Sequence, residues 1–144
     1  MSQLCGVMIA LCCHHRCDWS QYVGQQYLLD TGIKRSEFKL LTSMSSWATC
    51  GFGKKKSEDK NDNIAEEPEH DNDDVDVHPN DRYTRLGLDD ERRTEIGRMT
   101  KRVLDWGRVE YLQQQLSEFN IELKYYVDPA VSLENVILLC TRKS

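Results

Sequence analysis

Titratable and aromatic side chains are concentrated in one short segment, just after the first apolar run of the sequence. Open α/β sheets bind ligands beyond the carboxyl ends of their strands, and this segment follows a predicted strand. We therefore expect a substrate pocket here. The segment consists of Cys12, Cys13, His14, His15, Arg16, Cys17, Asp18 and Trp19.

Three interpretations of this segment remain open from residue types alone. Structural zinc usually takes two pairs of ligands from separate turns, but here every candidate lies between Cys12 and Cys17, so we predict no metal site. A nucleophilic cysteine activated by His14 or His15 would need a third, orienting residue, which the sequence does not identify. In the third interpretation Cys12 and Cys13 belong to the core and an ordinary loop follows them.

The elements that must position this segment come in two groups, of which the first surrounds it. The apolar run Cys5–Cys13 predicts a strand buried on both faces, as in a parallel sheet covered by helices. Residues 19–29 have helix-like spacing and end before Thr31 and Gly32. Residues 37–42 predict a second, shorter strand that leads into a polar loop.

A strongly acidic stretch then interrupts the chain. Residues 53–80 lack apolar periodicity and are rich in Asp, Glu, Asn and Lys, which predicts a disordered insert. The segment from Lys54 to Asp76 holds four lysines and ten acids and so carries a charge of −6, whereas the whole chain has a net charge of −5. The remaining 121 residues carry 15 basic and 14 acidic side chains, so the body of the chain is close to neutral and its charge does not argue against a polyanionic partner.

The second group begins with the strongest periodicity in the sequence. Acidic residues over 89–94 predict a helix start, and the apolar residues that follow recur every three or four positions as far as Phe119. The period then changes to two over residues 121–127, and a last apolar run covers residues 136–140. Because the segment between these two strands is too short for a crossover helix, we expect an antiparallel pair. The apolar positions of the helix are Ile96, Met99, Val103, Trp106, Val109, Leu112, Leu116 and Phe119.

Basic side chains cover the other faces of this long helix and could contact the phosphates of a nucleic acid. A solvated helix face explains the same residues without any ligand. They are Arg92, Arg93, Arg98, Lys101, Arg102 and Arg108.

Composition also narrows the class of protein. No stretch approaches the roughly 20 consecutive apolar residues that a membrane-spanning helix needs, so we expect no membrane association. The six cysteines lie largely in apolar runs rather than spread through loops, which favours a reducing, intracellular compartment, the cytoplasm or nucleus. We infer no obligate protein partner.

Four blocks of sequence resemble one known family. VMIALCCHHRCDWSQYVG, MSSWATCG, GRMTKRVLDWGRVEYLQQQL and YYVDPAVSLENVILLC, in this order, resemble the catalytic domain of the eukaryotic tRNA 2′-O-methyltransferases that modify nucleotide 4 of the acceptor stem. The blocks cover most of the chain outside the acidic insert. The resemblance implies transfer of a methyl group from S-adenosylmethionine to a ribose 2′-hydroxyl, with tRNA as the partner.

The resemblance also implies a fold, the α/β class I (Rossmann-like) methyltransferase, whose seven-stranded sheet ends in an antiparallel strand. The chain fits the carboxyl-terminal half of that sheet, in two parts over residues 1–52 and 81–144 separated by the insert 53–80. The glycine-rich loop and the acidic residue that bind the cofactor in this class are missing, as are the zinc modules of the family. We therefore expect an incomplete fragment or isoform that is inactive alone and does not bind S-adenosylmethionine.

Within the resemblance to this family, residue types suggest which side chains act in catalysis and which bind the cofactor. Histidine ionises near neutral pH, so His14 or His15 is the candidate catalytic base or hydroxyl-orienting group. Arg16 would act with them, on a substrate phosphate or the cofactor carboxylate. Cys12 and Cys13 are the candidate cofactor-binding residues.

Four further residues complete the candidate substrate site. The two aromatic rings could stack on a base and the two hydroxyls could form hydrogen bonds at the adjacent strand end. They are Trp19, Ser45, Ser46 and Trp47. The alternative function is a catalytically inactive interaction module that binds RNA or zinc.

Overall fold

The computed structural model describes residues 5–12, 14–49 and 87–143, which form a three-stranded sheet and a set of helices. The strands are β1 (Gly6–Ala10), β2 (Phe119–Tyr125) and β3 (Val136–Arg142). The α-helices are α1 (Gln25–Asp30), α2 (Phe38–Ser45) and α3 (Asp90–Gln115). Short 3₁₀ turns cover His14–Arg16, Trp19–Gln21, Arg35–Glu37 and Ser46–Ala48.

The sheet confirms the antiparallel pair expected at the carboxyl end. Its order is β1-β3-β2, and both neighbours run antiparallel to β3. Leu138 in the central strand is opposite Ile9 on one side and Leu123 on the other. The sheet thus joins the start of the chain to its end, and a Rossmann-like sheet is not confirmed.

The environment predicted for the first strand was wrong. The strand covers Gly6–Ala10 rather than Cys5–Cys13, pairs antiparallel, and has all five residues exposed. Met8, for example, is 67% exposed. Within the described residues β1 has a neighbouring strand, β3, on one side only. The prediction failed because an apolar run indicates a strand without identifying its partners.

The strand predicted over residues 37–42 was also wrong, because Glu37 ends a 3₁₀ turn and the helix α2 begins at Phe38. Phe38, Leu41, Thr42 and Ser45 are buried, at the three- and four-residue spacing of a helix, while Leu40 is exposed. Strand alternation would have buried Leu40 together with Phe38. A short apolar run does not separate these two cases until its neighbours are known.

The helix predicted over residues 19–29 is divided in two. A 3₁₀ turn covers Trp19–Gln21, and α1 begins only after Gly24. Gly24 lies against the backbone of Gly107 on α3, where a Cβ atom would be 2.6 Å from the carbonyl carbon. The close approach of these two glycines holds this segment against α3.

The long helix was predicted correctly in type, but it ends at Gln115, so that Phe119 begins β2, and its buried face is rotated from the predicted one. The Asp89 side chain accepts a hydrogen bond from the backbone of Arg92 at 2.7 Å and caps the helix. Met99 is 58% exposed and Trp106 is 43% exposed, although both were predicted to be buried. The buried positions are Arg93, Gly97, Thr100, Lys101, Leu104, Asp105, Gly107 and Val109.

Helix α3 contributes to two hydrophobic clusters. Val109 belongs to the cluster on the sheet, with Leu11, Ile121, Val136, Leu138 and Cys140. Leu104 belongs to the second cluster, with Tyr22, Leu28, Phe38 and Leu41. One helix therefore holds the sheet and the amino-terminal helices together.

The acidic insert predicted over residues 53–80 and the candidate Cys13 lie outside the described residues. Among the residues that the structure describes, no helix has the length and apolar character that crossing a membrane requires.

Gly97 allows α3 to approach the turn after α2. A Cβ atom at Gly97 would lie 2.9 Å from the carbonyl carbon of Trp47 and closer still to the backbone nitrogen of Ala48. Backbone atoms cannot rotate away as a flexible side chain can. The absence of a side chain at this position therefore sets the distance between the two elements.

We predict that Gly97→Ala lowers the free energy of unfolding by about 1–3 kcal/mol, as overpacking does. Replacing a glycine by alanine in a solvent-exposed helix would instead raise the free energy of unfolding by about 1 kcal/mol. Denaturation in urea measures the change, with Gln114→Ala in the exposed last turn as control. An unchanged or higher stability for Gly97→Ala would show that the approach is not tight.

Candidate functional site

The segment singled out by its residue types begins with a buried hydrogen bond to α3. His14 Nε2 lies 2.5 Å from Asp105 Oδ1, and both side chains are 1% exposed. An ionised carboxylate only accepts hydrogen bonds, so Nε2 is the donor. The pair joins residues 91 positions apart in the sequence and fixes the turn after β1 against the middle of the helix.

Arg108 completes this buried group. Its Nη1 donates to the same Asp105 oxygen at 2.8 Å from one turn further along α3. The charge of the buried carboxylate is thus compensated by a guanidinium and an imidazole. His14 Nδ1, in contrast, is buried without a hydrogen-bond partner among the described residues.

Sequence analysis missed Asp105 because its place depends on the rotational phase of the helix. The predicted apolar face ran through Val103 and Trp106, which put Asp105 among the solvated positions. The signal that could have found it is the acid next to Leu104, once Leu104 is known to be buried.

Tyr22 packs beside the buried group. Its hydroxyl donates to the carbonyl oxygen of Leu104 at 2.8 Å, and its ring lies 5.2 Å from the ring of Phe38. The Arg108 guanidinium lies 5.7 Å from the Tyr22 ring centroid. Burial raises the pKa of the Tyr22 hydroxyl well above its ordinary value of 10.0, and the nearby Arg108 opposes this only in part.

The structure brings three of the candidate residues, His15, Arg16 and Trp19, together in one cleft. We call it the basic cleft, and its volume is about 260 Å³. Arg16, Arg35 and Lys39 give it cationic character, and none of the three forms an ion pair with the described residues. The lining residues are His15, Arg16, Cys17, Asp18, Trp19, Arg35, Phe38, Lys39 and Thr42.

The two serines do not lie at a strand end as predicted, because α2 replaces that strand. The Ser45 hydroxyl is buried and donates to the carbonyl of Thr42 at 2.6 Å. The Ser46 hydroxyl donates to the carbonyl of Ser43 at 2.7 Å. Both hydroxyls are therefore engaged by carbonyl oxygens of α2.

Trp47 and Cys12 lie outside the basic cleft. The ring of Trp47 is half-buried, and the Arg93 guanidinium lies 5.4 Å from its centroid. Cys12 is exposed. In the described parts of the chain, no three His, Cys, Asp or Glu side chains are grouped so that they could hold a metal ion.

The comparisons with known proteins place the chain in a class of methyltransferases. The family model "Methyltransferase TRM13" matches residues 1–141. The chain belongs to the TRM13 methyltransferase family. No solved structure matches it.

The curated relatives are longer than this chain. The chain is 44% identical over 142 residues to the human "tRNA:m(4)X modification enzyme TRM13 homolog" and 34% identical over 151 residues to "tRNA:m(4)X modification enzyme TRM13" of Saccharomyces cerevisiae. These matches cover 92% and 98% of this chain, and 29% of each relative. The chain therefore spans less than a third of the length of these relatives.

We predict that Asp105→Ala lowers the free energy of unfolding by about 3–5 kcal/mol, because it leaves a buried histidine and an arginine without their shared acceptor. Glu95→Ala is the matched control, since Glu95 also pairs with an arginine three positions away on α3 but in solvent. Glu95→Ala should lower the free energy of unfolding by less than about 1 kcal/mol. Urea denaturation compares the two, and equal losses would contradict the role of the buried group.

The raised pKa of Tyr22 predicts a loss of stability in alkali. The neutral hydroxyl is favoured in the folded chain, so its contribution is complete below pH 10 and decreases as the pH rises above that value. Unfolding measured between pH 9 and 11 should show a decrease of up to about 1.4 kcal/mol per pH unit that Tyr22→Phe removes. Tyr111→Phe should behave as wild type, and an unchanged pH profile in Tyr22→Phe would contradict this assignment.

Proposed function

We propose that the chain forms part of the catalytic domain of a tRNA methyltransferase. The reaction is transfer of a methyl group from S-adenosylmethionine to the ribose 2′-hydroxyl of nucleotide 4 in the acceptor stem. Family membership supports methyl transfer, and the printed names of the relatives support tRNA as the substrate. The main structural support is the basic cleft, where His15, Arg16 and Trp19 lie together after β1.

We divide the proposed chemistry between the two histidines according to their exposure. A catalytic base must come within hydrogen-bond reach of the hydroxyl whose proton it removes. His15 is exposed at the cleft, where a substrate hydroxyl could reach it, whereas both ring nitrogens of His14 are enclosed. His15 is therefore the proposed base or hydroxyl-orienting group. His14 is a positioning residue that holds the turn through Asp105.

The cations of the basic cleft are suited to an RNA strand. Arg16, Arg35 and Lys39 are not neutralised by carboxylates of the described residues, so they can neutralise phosphates. Trp19 packs edge-on against Phe38, with ring centroids 5.2 Å apart, and its half-exposed ring can stack on a base. Holding the strand in this way would position the ribose, which is the main catalytic requirement of an in-line displacement.

The described residues do not themselves fit the methyl donor. The donor carries a sulfonium, an ammonium and a carboxylate. Arg16 could pair with that carboxylate, but the basic cleft offers a single carboxylate of its own, Asp18, for the two cationic groups. Cys12 and Cys13 remain the candidate cofactor-binding residues, and we propose that residues outside the described ranges complete the donor site. We therefore assign no step of the reaction to contacts with the donor.

The test is a hybrid enzyme in which residues 1–141 replace the matched segment of the human relative. It should transfer radiolabelled methyl groups to tRNA, and digestion of the product should release a 2′-O-methylated nucleotide. His15→Ala should lower kcat by about 10²-fold or more, as expected for loss of a general base. Arg16→Ala should lower kcat/KM for tRNA by about tenfold, as expected for loss of one charged hydrogen bond.

Lys124→Ala is the control, because it removes an exposed cation on β2 outside the cleft. Its rates should match those of the parent hybrid. Parent-like rates for both His15→Ala and Arg16→Ala would refute the site assignment. Binding of tRNA without methyl transfer in the parent hybrid would favour the alternative, an inactive RNA-binding module.

A further inference from the structure

A second cavity lies between α3 and the sheet and shares no lining residue with the basic cleft. We call it the sheet-edge cavity, and its volume is about 220 Å³. It opens where β2 ends, beside the loop that leads to β3. Its lining consists of Ala48, Arg98, Lys101, Arg102, Asp105, Tyr125, Pro129, Leu133, Asn135 and Val136.

The cavity has an excess of positive charge on its helical side. Arg98, Lys101 and Arg102 lie within about one turn of α3, so their side chains project from neighbouring positions. Lys101 Nζ is neutralised by the Glu134 carboxylate at 2.6 Å. Arg98 and Arg102 form no ion pair with the described residues.

An aromatic ring lies next to these two arginines. Arg102 donates to the Tyr125 hydroxyl, and its guanidinium lies 4.9 Å from the centroid of the same ring. Tyr125 is nevertheless 66% exposed, so much of its ring is open to solvent. Arginine planes and tyrosine rings both stack on nucleic-acid bases, independently of sequence.

Two polar side chains in the cavity lining, Asp105 and Asn135, already have hydrogen-bond partners within the protein. Asp105 Oδ1 is engaged by His14 and Arg108, so this carboxylate is not an uncompensated negative charge facing a phosphate. The Asn135 amide donates to the carbonyl of Val127 at 3.2 Å. The groups left to bind a ligand are therefore the two guanidiniums and the exposed ring.

We propose that the sheet-edge cavity binds one nucleotide of an RNA strand, with the phosphate on Arg98 and Arg102 and the base on Tyr125. This inference rests on the proposed function for the identity of the RNA, and it adds a second contact region beyond the basic cleft. Sites for small molecules bury most of their ligand. The exposure of Arg98 and Tyr125 instead fits a strand that passes along the cavity.

The experiment measures binding of the 144-residue chain to a fluorescein-labelled RNA hairpin that reproduces a tRNA acceptor stem, by fluorescence anisotropy at several salt concentrations without methyl donor. Arg98→Glu should weaken binding by about tenfold or more, and Arg98→Gln should reduce the slope of log affinity against log salt by about 1. Tyr125→Leu should weaken binding by about tenfold at every salt concentration, because stacking does not depend on counterions.

Arg92→Glu is the matched control, because it makes the same charge change on α3 outside the cavity, at a side chain that is already paired with Glu95. It should change the affinity by less than about twofold, because salt largely screens an exposed charge that lies outside the contact region. Circular dichroism checks each variant for folding. If Arg98→Glu unfolds the chain, Arg98→Gln and Tyr125→Leu decide the outcome.

Two results would overturn this inference. The first is equal weakening by Arg92→Glu and Arg98→Glu, which would mean that only the overall charge matters. The second is displacement of the RNA by inorganic phosphate or a nucleoside monophosphate at the concentration at which unlabelled RNA competes, which would indicate a site for small phosphate esters. Because the methyl donor is omitted, failure here leaves methyl transfer by the hybrid enzyme untouched, and the reverse also holds.

Discussion

The hydrogen bond between His14 and Asp105 is the constraint on which the rest of the described structure depends. A carboxylate removed from water needs compensation, and here the imidazole and the Arg108 guanidinium provide it at one oxygen atom. The partners come from the turn after β1 and from the middle of α3. These two distant segments can therefore be buried only together.

The same hydrogen bond also fixes the relative position of two surfaces, the basic cleft and the sheet-edge cavity. The His14 turn leads directly to His15 and Arg16 in the basic cleft, while Asp105 itself lines the sheet-edge cavity. A shift of α3 relative to the turn would alter both surfaces at once. The glycines at 97 and 107 let the helix lie close to the turn after α2 and to Tyr22, since a side chain at either would meet these neighbours. Packing at these glycines and charge compensation at Asp105 thus support the same arrangement.

The elements predicted correctly from the sequence are those with a long or unambiguous pattern. Helix α3 has steps of three and four over many turns, and the β2–β3 pair follows from strand alternation and a short connection. The errors at β1 and α2 have a common cause, because five to eight apolar-rich residues do not determine their own partners. Asp105 was missed for a related reason, since burial of one acid depends on the helix phase, which only the tertiary contacts fix. The residue types after β1 predicted a substrate pocket, and a cleft lies at this position, but they did not show that His14 is enclosed while His15 is exposed.

Local charges, rather than the net charge, decide whether such a chain can bind a polyanion. Its net charge of −5 would oppose a polyanion if the charges acted from one point. At physiological ionic strength, however, the field of an exposed charge falls off over about 8 Å. What an approaching phosphate meets is therefore the nearest group that is not already neutralised. In the described residues these groups include Arg16, Arg35 and Lys39 in the cleft and Arg98 and Arg102 at the cavity, whereas Lys101 and Arg108 are compensated by carboxylates. An acidic protein can for this reason present two cationic surfaces, and the ion pairs inside each surface determine which of its cations remain available.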